Sequence, residues 1–265
     1  MVNKVFLVDS FTDQPFHGNP AAVVLLTQKQ DAKWMQGVAA EMAVSETAFI
    51  LPGSVKGEYQ IEWFTPTKVA ELCGHATLAA AHVLWETGTE QPDSQISFTS
   101  RSGPLSAQKS DSWIKLDFPT EPAEMISTVP DILVEEFGPA IKFTGMNRID
   151  YFVELESDRA IFEYTPNFSN LEKLGRGVIV TALSSNPLYD FTSRVFAPSE
   201  GIPEDPVTGS AHCCLSSYWS TILKKDQLVG YQASPRGGIV RLHHLGSRTL
   251  LFGQAISIMK GQLVI

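Results

Sequence analysis

The chain has 265 residues, 43% of them apolar and 18% charged, and a net charge of −9. That balance is ordinary for a soluble globular protein and allows one large domain or two small ones. With no Lys/Arg run, it argues against a nucleic-acid partner. No stretch of about 18 apolar residues is present, so no membrane span is expected. The N-terminal MVNKVFLVDSF has too short an apolar run for a signal peptide, and Asp9 interrupts it. Three cysteines, Cys73, Cys213 and Cys214, are odd in number and two are adjacent. This argues against a disulfide framework and for a cytoplasmic, reducing location.

In chain order, residues 4–9 (KVFLVD) and 21–26 (AAVVLL) have strand patterning and flank a turn-rich loop, DQPFHGNP. Residues 31–43 show helical apolar spacing, with Asp31 as a cap. SETAFILP reads as a turn into a strand, and residues 58–64 (EYQIEWF) alternate strictly as a strand does. TPTKVAELCG reads as a loop and residues 75–87 as a helix, followed by strands near 95–99, 104–109 and 112–118. Residues 119–130 (PTEPAEMISTVP) carry three prolines and are the best linker candidate. This divides the chain into halves at 1–118 and 119–265, with the last strand free to return to the first half. Beyond it, DILVEEF and SNLEKLG read as short helices, and IDYFVELES, GVIVTALS and FTSRVFAP as strands. Residues 209–224 form a helix, and GIVRLHHL and RTLLFGQAISIMKGQLVI alternate as strands do. The pattern is mixed α+β.

The halves contain a repeat. Phe64 and Pro66 end a strand, Gly74 opens a helix and Trp85 lies near its end; Phe196, Pro198, Gly209 and Trp219 follow the same order. The alternative is two unrelated strand–loop–helix units, which are common. Both helix bodies, LAAAHVLW and CCLSSYW, are apolar or small on nearly all sides, as a buried helix requires. Their starts carry small residues, Gly74, His75, Ala76 and Thr77 in one and Gly209, Ser210, Ala211 and His212 in the other. Unpaired N–H groups and the positive dipole end make such a start fit for an anion. Thr-Gly-Ser is equally a good capping sequence, with Asp205 then serving loop amides.

Two titratable groups stand out, each with two readings. His75 is a satisfied core histidine or a proton donor beside a helix start. Glu46, in VSETAFI, is a surface turn carboxylate or an acid/base sunk in an apolar pocket. No metal-ligand spacing of the HExxH, CxxC or EF-hand kind occurs, and adjacent His243 and His244 would point to opposite faces of a strand. No phosphate-binding loop or GxSxG elbow is present.

Taken together, VDSFTDQPFHGNPAAVVLL, SETAFI, FTPTKVAELCGHATLAAAHVL and EDPVTGSAHC occur in the order found in one family. The chain resembles the phenazine-biosynthesis isomerases (PhzF-like), within the diaminopimelate epimerase-like superfamily. The resemblance implies an α+β fold of two pseudo-symmetric halves, each a barrel-like sheet around a central helix, with an active site in the cleft between them. It implies a homodimer, no cofactor, no metal and proton transfer on a small carboxylate, as in isomerisation of trans-2,3-dihydro-3-hydroxyanthranilate. Carried over residue by residue, Glu46 is the acid/base and His75 and Asp205 are its polar partners. Ser45, Gly74, Gly209 and Ser210 bind the substrate. Epimerase relatives use two cysteines, one from each half; Cys73 matches the first and Pro206 the second, so a two-thiol mechanism is not available. Cys73 is then expected to be a packing or bystander residue. The rival readings are an amino-acid epimerase or racemase and a non-catalytic carboxylate-binding protein.

Overall fold

A computed structural model describes residues 3–265; residues 1 and 2 of the expected first half lie outside the described residues. The chain divides into two compact units, one running up to Phe118 and completed by Phe252–Ile265, the other Pro119–Leu251.

The first unit contains β1 (Lys4–Ser10), β2 (Asn19–Leu25), α1 (Ala32–Met42), β3 (Glu46–Pro52), β4 (Glu58–Phe64), β5 (Val69–Ala70), α2 (Gly74–Glu86), β6 (Ile96–Ser100), β7 (Gly103–Ser110) and β8 (Trp113–Pro119). The strand β1 pairs antiparallel with β2, β2 parallel with β3, and β3 antiparallel with β4. Then β4 takes β5 antiparallel at one end and β6 parallel at the other, and β6, β7 and β8 continue antiparallel. A parallel step needs a crossover, and α1 and α2 supply the two crossovers here. Asp31 caps α1 by accepting from Trp34 N–H at 2.8 Å. Met35, Val38 and Ala39 then pack on Val24, Phe49 and Phe64.

The helix α2 has no charged residue before Glu86, and its residues from Gly74 to Ala81 are all buried. It packs on β1, β2 and β3, so the sheet wraps it. Each large apolar side chain it buries, such as Leu78 or Leu84, contributes about 1.5–3 kcal/mol.

The second unit contains β9 (Glu124–Met125), α3 (Asp131–Phe137), β10 (Ile141–Met146), β11 (Tyr151–Leu155), α4 (Asp158–Glu163), α5 (Phe168–Leu171), β12 (Val178–Leu183), β13 (Phe191–Ala197), β14 (Ile202–Asp205), α6 (Gly209–Leu223), β15 (Gln227–Gln232), β16 (Gly238–Leu245) and β17 (Arg248–Gly253). Its pairing repeats the first unit step for step. β10 and β11 are antiparallel, β11 and β12 parallel across α4 and α5, and β12 and β13 antiparallel. Then β13 takes β14 antiparallel and β15 parallel across α6, and β15 and β16 are antiparallel. The Phe-Pro-Gly-Trp repeat in the sequence is therefore a structural duplication. Like α2, α6 buries most of its length, and it is fastened by Trp219 Nε1–H donating to Thr181 Oγ1 at 3.0 Å and by a 2.7 Å Ser216–Thr249 hydroxyl pair. The chain then leaves this unit, and β18 (Ala255–Gln262) pairs antiparallel with β1.

Two segments differ from the sequence reading. The three-proline segment is not a bare linker, because Glu124 and Met125 pair with Met146 and Gly145. The span 65–74, read as a loop, contains the two-residue β5. Among the described residues, no helix is long and apolar enough to cross a membrane.

Candidate active site

Parallel pairing of β2 with β3 sets Ala21 opposite Glu46 and brings the starts of both strands to one edge. The start of α2 lies at the same place. Asn19 opens β2 and is fully buried, Glu46 opens β3, and His75 is the second residue of α2. The preceding loop is shaped to deliver Asn19. Gly18 sits at φ +66°, where a Cβ would collide with the Ser10 carbonyl, and Asp9 Oδ2 accepts from Phe16 N–H at 2.8 Å. Ser10 Oγ donates to the His75 carbonyl at 2.8 Å and fixes the first turn of the helix.

The His75 ring has polar atoms on both sides. Asn19 Nδ2 lies 3.1 Å from Nδ1, and Glu46 Oε2 lies 3.3 Å from Nε2. An amide nitrogen can only donate, so Nδ1 accepts and the ring proton sits on Nε2, facing the carboxylate. Burial pushes His75 down to about 3, so the imidazole is neutral at pH 7. With a neutral ring, the 3.3 Å approach is a close polar contact rather than an ion pair. Ser45 Oγ donates to Asn19 Oδ1 at 3.5 Å and orients that amide. Glu46 is 14% exposed at its side chain, so a small molecule reaches it from solvent while its inner oxygen faces His75. Cys73 Sγ lies 3.5 Å from His75 Nδ1.

In the second unit, Asp205, Gly209 and Ser210 are likewise brought together, at the end of β14 and the start of α6. Thr208 Oγ1 donates to Asp205 Oδ2 at 2.5 Å. Gln232, fully buried, clamps the turn. Its amide donates to the Asp205 carbonyl at 2.7 Å and its oxygen accepts from Thr208 N–H at 2.8 Å. His212 belongs to the core instead, with Nδ1 2.8 Å from the Thr208 carbonyl and its ring against Phe191.

These contacts bear on the choice between capping and anion binding. Neither Cys73 nor Thr208 makes a side-chain cap to its helix. The Thr208 hydroxyl is spent on Asp205. The first-turn N–H groups of both helices are therefore not taken by the cap residue, which is the arrangement a carboxylate exploits.

Sequence reasoning singled out neither Asn19 nor Gln232. Asn19 stood inside a loop-forming run, HGNP, and Gln232 at the end of an unremarked strand. The one signal available was a polar amide at the boundary of an apolar strand. Asp150 was missed too. It is 8% exposed, and burial, reinforced by Glu200 and Asp205 against the pull of Arg176 and Arg148, raises its carboxyl from 3.8 to about 6. A raised native value means the folded state holds its proton longer than the unfolded state. Stability is then full below about pH 4, falls as pH rises to about 6, and is lower by about 3 kcal/mol above that. Asp150→Asn is accordingly expected to melt higher than the parent at pH 7.5 and to lose that advantage at pH 4. A lower melting temperature at pH 7.5 would show that the carboxylate is compensated in place.

The paired sheet-wrapped helices and the carboxylate–imidazole contact define an epimerase-like α+β protein. The family model described as phenazine biosynthesis-like protein matches residues 8–261. An uncharacterized isomerase of Halalkalibacterium halodurans is 45% identical, over 100% of both chains. The crystal structure of a phenazine biosynthesis protein of the PhzF family from Enterococcus faecalis superposes with a TM-score of 0.92 at 38% identity, covering 100% of both chains. A hydroxyproline epimerase from Agrobacterium vitis shares the fold alone, with a TM-score of 0.64 at 11% identity over 99% of this chain and 92% of that one. The chain belongs to the phenazine-biosynthesis-like (PhzF) family and is an isomerase of that family.

Proposed function

We propose that the protein moves a proton within a small carboxylate substrate, with Glu46 as the acid/base. The observation that carries this is the Glu46 Oε2 to His75 Nε2 contact of 3.3 Å, which sets a buried neutral imidazole beside a carboxylate that solvent reaches. In the reaction, Glu46 takes a proton from a carbon activated by conjugation. The C–H electron pair enters the conjugated system, and Glu46, whose acquired proton exchanges with solvent, delivers one proton to another carbon. The product has the composition of the substrate, and no external oxidant or reductant enters. The uncapped start of α2 at Gly74 offers N–H groups to developing negative charge. Proton transfer of this kind needs a positioned base and fixed dipoles, so the proposal includes no cofactor. A substrate of the dihydro-hydroxyanthranilate type fits the family.

One observation favours a second reading, epimerisation at an amino-acid α-carbon. Cys73 Sγ lies beside His75 at a helix start, a position that favours a thiolate base. Turnover in D2O separates the two. With trans-2,3-dihydro-3-hydroxyanthranilate, the isomerase reading expects a change in ultraviolet absorbance with deuterium appearing at a single new carbon. With proline or hydroxyproline it expects no exchange. Inversion of an amino acid with unchanged absorbance would replace the first reading by the second.

A further inference from the structure

We propose that Glu46, Cys73 and His75 form a zinc site, binding one ion through Oε2, Sγ and Nε2. One ligand atom from each residue lies within 4.8 Å of the others. Nε2 is 3.3 Å from Oε2 and 4.0 Å from Sγ. A tetrahedral zinc with bonds of about 2.3 Å to sulfur and about 2.0–2.2 Å to nitrogen and oxygen sets its ligand atoms about 3.3–3.6 Å apart. One edge of that tetrahedron is already present, and the other two close by rotation of the Cys73 and Glu46 side chains.

The donor set is selective. Thiolate, imidazole and carboxylate together suit a borderline-soft ion, whereas magnesium and calcium require oxygen throughout. Three protein ligands leave the fourth position open to water. The ligands also stand on regular elements. Glu46 opens β3, Cys73 is the extended residue before α2, and His75 lies within its first turn. An outer partner is in place as well, because Asn19 faces Nδ1 at 3.1 Å. When Nε2 binds metal, Nδ1 carries the ring proton and the Asn19 amide turns its oxygen to accept it, as outer-shell groups do for metal-bound histidines. No sequence spacing announces this site, because Glu46 opens a strand and lies far in sequence from Cys73 and His75, and a Cys-x-His pair alone is common.

Binding is balanced by loss of one proton, since the Cys73 thiol must ionise to ligate. A bound ion also occupies the lone pair on Glu46. Zinc therefore inhibits turnover. That consequence, unlike the binding itself, rests on Glu46 being the acid/base.

The test uses the full-length chain, reduced and stripped with chelator. Cobalt(II) is titrated as the spectroscopic surrogate and then displaced by zinc. The expected result is one equivalent bound, tetrahedral ligand-field bands, a thiolate-to-cobalt charge-transfer band, and one proton released per ion. Cys73→Ser and His75→Gln should each weaken binding by at least about 10–100-fold. A parent protein without the charge-transfer band overturns the site, and this measurement needs no variant to fold. A band that persists in Cys73→Ser overturns it too, by moving the sulfur ligand to Cys213 or Cys214. If the band forms and turnover continues with zinc bound, the site stands and the role given to Glu46 falls.

Discussion

Glu46→Gln is expected to lower turnover by about 10²–10⁴-fold, the contribution of a positioned acid/base. The melting temperature should move little, because Gln keeps the volume and the outward atoms of a side chain that is 14% exposed. The amide can face His75 as the carboxylate does, but the side chain no longer takes a proton. Cys73→Ala measured on the same substrate gives the comparison. Its sulfur lies 3.5 Å from Nδ1 and 4.0 Å from Nε2, and in the proposed mechanism it carries no proton. Its loss should cost at most about tenfold, or about 1.4 kcal/mol of barrier. The opposite order, with Cys73→Ala inactive and Glu46→Gln active, would make the thiol the base and end the mechanism proposed here.

Much of this arrangement is legible in the sequence where one periodicity governs. The strand expected at 58–64 is Glu58–Phe64, and the helices expected at 75–87 and 209–224 are Gly74–Glu86 and Gly209–Leu223. Both helices announce themselves by bodies without charge on any face, which only a sheet wrapped around them tolerates. The elements that escaped are those whose pattern comes from their neighbours. Ile141–Met146 alternates weakly and owes its strand form to β9 and β11 on its two sides. Ile202–Asp205 contains a proline and two acids, and it is held as a strand by β13. The same holds for the site. Glu46 and His75 are visible as ionisable residues beside small or apolar ones, but their contact is a product of the β2–β3 register. The partners that orient them, Asn19 and Ser45 on one side and Gln232 for the Asp205 turn, are ordinary polar residues until the fold buries them. Local spacing carries no information about a hydrogen bond that spans 56 residues of chain, as Asn19 to His75 does.

Arg194→Ala should be the most destabilising of these substitutions. Arg194 and Glu204 are 10% and 11% exposed and paired twice, Nε to Oε1 at 2.8 Å and Nη2 to Oε2 at 2.9 Å. The remaining nitrogen, Nη1, donates to the carbonyls of Ile161 and Tyr164 at 3.2 and 2.7 Å. One side chain thus joins β13, β14 and the end of α4. Removing it leaves a carboxylate and two carbonyls without their donor, at a cost of about 3–5 kcal/mol. For a chain of this size that lowers the melting temperature by about 6–20 °C. Arg194→Lys should recover part of the loss, since an ammonium cannot reproduce the two parallel bonds. The double variant Arg194→Met with Glu204→Leu separates stability from positioning. An apolar pair removes the stranded charge and should restore most of the melting temperature. It does not restore the anchor of Glu204, whose neighbour is Asp205. With Asp205 in the substrate-binding role that the family resemblance implies, the double variant should keep a raised KM with kcat little changed. A double variant that regains both stability and KM would show that the pair contributes to the fold alone. A single variant that melts within about 2 °C of the parent would show that water enters and solvates Glu204, and that the pair holds neither β14 nor the turn beyond it.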